Sequence, residues 1–485
     1  MSSNQFMYNY QHSLNLAYQK QTKLFEDADG SSIHRPSDDS VAYSQLLRYQ
    51  NAQSENDQYT RNVNNALSWM THSQASLDHI SQIMQTFTGK VVDAGNDSNN
   101  ESDMVAISKE MMVQIEEVVA TANVQEGDRY LFSGQRDLTR PFTLSTSEVD
   151  RGLAKTLDNN QISFFKGNNV DEQTSLTQML TLEDDDGNTY YLDTSDGNIY
   201  TKEFVDNGYK DAIALGTPKL LDTNYAANTV SNKANFRVGY LKLGIYAEEA
   251  MGVEGNTDGF RVSNFFDSRG VLLDGIDNDI TMTMQHPITR MVDTGELDDD
   301  DNPIMEEEVV KDSINLHFTT IKQKIVDYAG DERYISMVKL NGAADQVSDI
   351  VNVTGYDMFG TDIFDDAASG NERSGCAMLN QMLTVQQQVA NADMEWASSD
   401  GITVARVTSS TITYAETKVG TRAQLYESFK TMLERQGDNI LEDITNVSAT
   451  DVAKLATDLM TQQMLYNLSL SMGGRILPQT LADYL

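Results

Sequence analysis

The side chains best suited to chemistry are few and scattered. There are six histidines, His12, His34, His72, His79, His286 and His317. His72 and His79 stand seven apart, whereas a metal-binding pair on a helix favours a spacing of three or four, and no acidic or cysteine partner has ligand spacing to them. The acidic run around Asp184–Asn188 can be tried as a calcium loop with Gly187 as the turn glycine. Asp184 and Asp186 then take ligand positions three and five, but position one is Leu182 and position twelve is Asp193, so the pattern fails. Cys376 is the single cysteine. It excludes an internal disulfide framework and lacks the flanking signature of an activated thiolate, so it reads as a buried, inert thiol. Carboxylates are too abundant for their proximity in sequence to identify a catalytic pair. No nucleophile elbow, phosphate-binding loop or dinucleotide glycine fingerprint is present. The expectation is a chain with no catalytic, cofactor-binding or metal residues, and not an enzyme.

Composition narrows the partners. The 485 residues carry a formal charge of −38, and only 39% of them are hydrophobic. Such a field repels nucleic acid and anionic membrane surfaces. The charge is uneven: residues 1–140 carry −8 and 401–485 carry −2, which leaves −28 on 141–400. No run of 18 apolar residues is available to span a membrane. Met1–Asn15 lacks the basic and apolar regions of a Sec-type signal. The chain also exceeds the length at which one core stops growing, so several domains are expected.

The elements that would position any site follow from periodicity. Val63, Ala66, Met70, Ser73, Leu77, Ile80, Met84, Phe87 and Val91 alternate three and four apart, a long-helix seam with one polar member. Met7, Tyr10, Leu14, Ala17, Gln21 and Leu24 repeat the spacing near the N-terminus. A third helix is predicted after Asn100, with Met104, Met111, Ile115, Val118 and Ala122 inward. On the C-terminal side Ala405, Ile412, Val419, Tyr426, Leu433 and Ile440 stand seven apart. The pattern slips near Asn446 and resumes as Val452, Leu455, Leu459, Gln462 and Tyr466, which reads as a break or stutter.

The centre differs. Asp186-Gly187-Asn188 recurs ten residues later as Asp196-Gly197-Asn198, each between Tyr- and Thr-bearing stretches. This predicts tight hairpins whose central positions both take positive φ. Further strands are predicted at Ile280–Met284, Ser313–Thr320 and Tyr334–Leu340, and a solvated loop at Asp298–Asp301. The fold class is therefore α+β multidomain: a long coiled-coil-like helical bundle built from both chain ends, carrying an inserted mainly-β central region. The expected domains are an N-terminal helix (1–45), one half of the bundle (46–140), an acidic insertion (141–400) with an extra subdomain at about 160–315, the second half of the bundle (401–445) and a C-terminal helix (446–485).

Arg35-Pro36-Ser37-Asp38-Asp39, followed by Arg61-Asn62-Val63-Asn64-Asn65-Ala66, resembles the N-terminal signature of the flagellin family. Tyr130-Leu131-Phe132-Ser133-Gly134 with Pro141-Phe142 resembles the family's hook–filament junction members. Val419-Gly420-Thr421-Arg422 with Leu425 is similar to the family's C-terminal helix start. The final Arg475-Ile476-Leu477-Pro478 and Leu481-Ala482-Asp483-Tyr484-Leu485 are similar to the junction members' ending. A weaker likeness joins Tyr328-Ala329-Gly330-Asp331 to Val353-Thr354-Gly355-Tyr356-Asp357 in the centre.

The resemblance implies a structural subunit of the extracellular bacterial flagellum, joining hook to filament and exported without a cleaved signal; a bulk or minor flagellin is the alternative. It implies copies of the chain in a ring-like layer, the first hook-associated protein below, flagellin above, and a cytoplasmic export chaperone on the C-terminal helix. The residues expected to make inter-subunit contacts are Phe6, Met7, Tyr10, Leu14, Leu24, Val452, Leu455, Leu459, Ile476, Leu477, Leu481 and Leu485, with polar contacts from Arg35, Asp38, Asp39 and Arg61.

Overall fold

A computed structural model of the chain describes residues 3–166, 177–194, 198–210, 241–242, 262–276, 278–297, 303–337, 349–365 and 374–476. Long helices come from both chain ends. They are α1 (Ser3–Glu26), α2 (Ser40–Ala94) and α3 (Glu101–Ala122) on the N-terminal side. Beyond the central strands and three shorter helices come α7 (Ile402–Ser448) and α8 (Val452–Ile476). The slip near Asn446 is a true break: α7 ends at Ser448, and the Asp451 carboxylate accepts from Lys454 N at 3.0 Å to restart the helix.

The seam residues of α2 from Val63 to Val91 are all buried. So are the six residues of α7 spaced seven apart, together with Thr408 and Ala415 between them. Of the other partners in that seam, Arg422 and Phe429 are half-buried and Gln436 is exposed. Helix α3 begins with a reciprocal cap, the Asn100 side chain accepting from Asp103 N and Asp103 accepting from Asn100 N. Its five predicted inward residues are buried.

The chain divides into two compact units. One contains Met1–Asn65 and Leu425–Leu485; the other contains Ala66–Met337 and Asp345–Gln424. The second unit carries the strands. Short pairs form between β1 (Gln125–Glu126) and β2 (Arg129–Tyr130), between β3 (Phe142–Leu144) and β13 (Val326–Tyr328), and between β4 (Val149–Gly152) and β12 (Thr320–Gln323). The main antiparallel sheet has the order β10-β11-β6-β7-β8-β9, with β5 (Ala154–Thr156) also paired to β6. Its strands are β6 (Gln178–Asp184), β7 (Thr189–Asp193), β8 (Asn198–Thr201), β9 (Leu241–Lys242), β10 (Asp279–Leu297) and β11 (Pro303–Phe318). Pro287 falls where the β10–β11 register shifts, between Thr283 and Ile288, as a residue without an N–H donor requires.

The hairpins stand where the Asp-Gly pairs predict them, with a different turn. Gly187 has φ +82°, but Asp186 does not share a positive φ. Gly187 N donates to Asp184 O and Asp184 N to Asn188 O, both at 3.0 Å. The loop is therefore a turn closed by one left-handed glycine. The Asp184 carboxylate accepts from Asp186 N, Asn188 N and Tyr190 Oη at 2.8–3.0 Å. The acidic run tried as a calcium loop thus organises its own turn.

The predicted strands at 280–284 and 313–320 lie in β10, β11 and β12. At 334–337 a short bridge, Ser336 to Ile350, is formed. The 338–340 portion, the Asp298–Asp301 loop and the Asp196-Gly197 turn lie outside the described residues. The centre also holds α4 (Asn159–Phe165), α5 (Gly355–Phe359) and α6 (Ala377–Ala390), the last packed against α3.

Three of the sequence motifs meet around Tyr328. Its hydroxyl donates to Phe132 O at 2.8 Å and accepts from Gly355 N at 3.2 Å. Gly330, Gly355 and Gly375 crowd its ring so closely that a Cβ on any of them would come within 2.7 Å. Leu131, Phe132 and Ser133 are buried, and a Cβ on Gly134 (φ +69°) would stand 2.1 Å from Asp331 Oδ1. The Tyr-Leu-Phe-Ser-Gly segment is thus a packing motif that locks the helical part to the strands of the second unit. Cys376 is buried, its thiol donating to Val326 O, and burial pushes its pKa up.

Candidate assembly surface

In the first unit, α1 and α8 pair as an antiparallel hairpin. Tyr10 Oη donates to Ser469 O at 2.8 Å, and Gln462 Nε2 donates to Ala17 O at 3.0 Å. The paired numbers sum to 479 in both cases, and the same register sets Leu24 opposite Leu455. The half-buried residues on α1 include Tyr10, Leu14, Ala17, Gln21 and Leu24. Those on α8 are Leu459, Gln462, Tyr466 and Ser469, with Leu455 buried. Both runs alternate four and three apart, a heptad seam.

This pairing covers only one stripe of each helix. On α8, Met460 and Met464 are each 72% exposed, and Leu468, four further on, is also exposed. At 100° per residue these three lie opposite the seam. Val452, Leu465 and Leu470 add to the exposed apolar area, as do Tyr8, Leu16, Tyr18 and Phe25 on α1. Single surface apolar residues are unremarkable, but a line of three at a spacing of four on one helix face is a candidate interaction surface.

The turns joining the helices are tied to each other. Ser32 N donates to Ser448 O at 2.6 Å and Thr450 N to Gly30 O at 3.1 Å, beside a bridge between Ser31 and Ala449. Within Arg35–Asp39, the Asp38 carboxylate accepts from His34 N, Arg35 N and Lys23 Nζ at 2.8–3.1 Å. The Lys23 ammonium and then the two backbone donors lower its pKa to about 2. Asp39 Oδ1 accepts from Val41 N and Ala42 N, capping α2.

The residues expected at the interface fall into groups. Leu14, Leu24, Leu455 and Leu459, with Tyr10, form the seam inside the hairpin. Val452 is exposed. Arg35 pairs with Glu26 at 2.9 Å, and Arg61, on the surface of α2, donates to Gln58 Oε1 at 2.8 Å. Phe6, Met7 and Ile476 lie in α1 and α8, while Leu477, Leu481 and Leu485 are outside the described residues. The stripe of Met460, Met464 and Leu468 was missed because a heptad search selects the seam and passes over a second apolar line on the same helix. Its spacing of four was a legible signal.

The bacterial flagellin N-terminal helical region matches residues 1–137. Over this region the chain is similar to bacterial flagellins. Among curated relatives, flagellar hook-associated protein 3 of Salmonella typhimurium is 28% identical over 124 residues, 25% of this chain and 39% of that protein. Flagellar hook-associated protein 3 of Escherichia coli is 28% identical over 115 residues, 24% of this chain and 36% of that protein. The chain thus spans about two fifths of the length of the curated relatives it matches. Among solved structures, a putative flagellar hook-associated protein from Vibrio parahaemolyticus is 10% identical with a TM-score of 0.41, over 85% of this chain and all of that one. Hook-associated protein 3 from Legionella pneumophila is 8% identical with a TM-score of 0.36, over 83% and 98%.

Proposed function

We propose that the chain is a structural subunit of the bacterial flagellum that joins hook to filament, assembling through its terminal helices. The observation that carries this reading is the apolar outer face of the α1–α8 hairpin. That face is left exposed after the seam has paired, so its burial calls for neighbouring subunits. The flagellin-type N-terminal region and the relatives named hook-associated protein 3 support the same reading. Subunits pack side by side in a ring-like layer, a heterologous contact in which one surface patch meets a different one on the next copy. The first hook-associated protein lies below the layer and flagellin above it. Before export through the flagellar type III apparatus, a cytoplasmic chaperone covers α8, whose apolar stripe is otherwise open to aggregation. Arg35, Asp38, Asp39 and Arg61 supply polar contacts between copies.

Gold labelling of intact flagella with antibody to the chain tests the proposal. One band at the boundary of hook and filament is expected. Label along the whole filament would replace the junction role with that of a minor flagellin, and unlabelled flagella would overturn the assembly reading.

A further inference from the structure

A cavity of about 320 Å³ opens in the second unit, between the β5–β6–β7 edge of the sheet and the segment that follows α6. Ion pairs already occupy its cations. Lys155 Nζ, buried at its floor, pairs with Asp400 and with Asp206 at 3.0 Å, and Lys202 pairs with Glu395 at 3.3 Å. Glu183 and Asp393 also line it, so the wall is net acidic and disfavours an anion. Among the described residues no cluster of three His, Cys, Asp or Glu side chains has the arrangement to hold a metal ion. Charged, hydroxyl and amide side chains make up most of the lining, which disfavours an apolar ligand.

Other hydrogen-bonding groups remain. Gln388 is only 8% exposed and lines the cavity. The buried Thr319 Oγ1, also in the lining, has no hydrogen-bond partner among the described residues. A buried polar group left unpaired costs about 1–3 kcal/mol, so such groups signal a missing partner. Beside them stands Trp396, whose indole offers a flat apolar surface in an otherwise polar wall. A side-chain amide, an unpaired hydroxyl, carboxylates that accept hydrogen bonds and one aromatic plane suit a molecule with hydroxyls on its edge and C–H groups on its face.

We propose that this cavity binds a neutral saccharide of one or two rings, with Gln388 and Thr319 engaging its hydroxyls and Trp396 covering one ring face. The volume sits at the small end of ligand sites, roughly 300–1,000 Å³, which excludes a longer glycan lying wholly inside.

The full-length chain has two tryptophans, Trp69 and Trp396, so Trp69→Phe leaves Trp396 as the sole reporter. Titration with glucose, galactose, mannose, N-acetylglucosamine and their disaccharides is expected to give, for at least one, a saturable change in Trp396 emission. The same sugar is expected to show saturation-transfer NMR signals. Gln388→Leu is expected to weaken that binding about tenfold, the loss of one buried hydrogen bond. Asn391→Ala, at the exposed rim, serves the same comparison if Gln388→Leu lowers the melting temperature. Absence of a saturable response across the panel overturns the proposal. Affinity unchanged in the folded variants, or equal binding of phosphate or calcium, does so too.

Discussion

At the scale of single residues, two charged groups are held in opposite ways. Asp38 is near the surface, and its carboxylate gains from Lys23 and two backbone N–H groups, which lower its pKa from 3.8 to about 2. A depressed carboxylate stabilises the fold above its unfolded pKa, and that contribution is lost as pH falls through about 2. Protection of the His34 and Arg35 amides, measured against their intrinsic exchange rates, is therefore expected to fall between about pH 4 and pH 2. Asp38→Asn should show low protection already at neutral pH, with little further change on acidification. Arg151 is the opposite case, fully buried and paired to Asp362 at 2.6 Å, with further bonds to Arg269 O and Thr384 Oγ1. Arg151→Ala leaves an unpaired buried carboxylate and is expected to cost about 3–5 kcal/mol, read as a lower urea midpoint for the second unit. The second role could not be read locally, since Arg151 and Asp362 stand 211 residues apart.

At the scale of elements, the two faces of α8 should separate cleanly under mutation. Leu459→Asp puts a charge into the α1–α8 seam and is expected to melt the hairpin, seen as lost helicity by circular dichroism. Met464→Asp changes only the exposed stripe. It is expected to preserve helicity and melting temperature while reducing incorporation into flagella; normal incorporation would remove that stripe from the assembly surface. The long helices were legible because their apolar residues recur with a helical period while the remaining faces meet water. Helix α6 was not, because 11 of its 14 residues are buried, including Asn380, Gln381 and Thr384. A helix enclosed on nearly all sides has no polar face to reveal its period. The turn at Gly187 was legible as a turn, but its type was decided by the side-chain bonds of Asp184.

At the scale of the whole molecule, deleting residues 1–24 or 452–485 should abolish incorporation into flagella, because each removes one strand of the terminal hairpin. The second unit has its own cores, one around Leu182, Phe266, Phe318 and Phe364 and another around Phe165, Tyr200 and Phe204. A protease-resistant fragment containing 66–337 is therefore expected to survive both deletions, and loss of that fragment would mean that the terminal helices are needed for the rest to fold. What the sequence determined by itself is the repeating part: helices, seams, hairpins and the motifs of the chain ends. Each depends on neighbours within a few residues or on a fixed period. The tertiary structure alone decided which apolar stripe of α8 is consumed inside the hairpin and which is left for partners. It also decided that three motifs from distant segments close around Tyr328, and that Lys155, Gln388 and Trp396 line one cavity. These outcomes depend on long-range packing, where the partner of a side chain is chosen by the path of the backbone and leaves no periodic trace in the sequence.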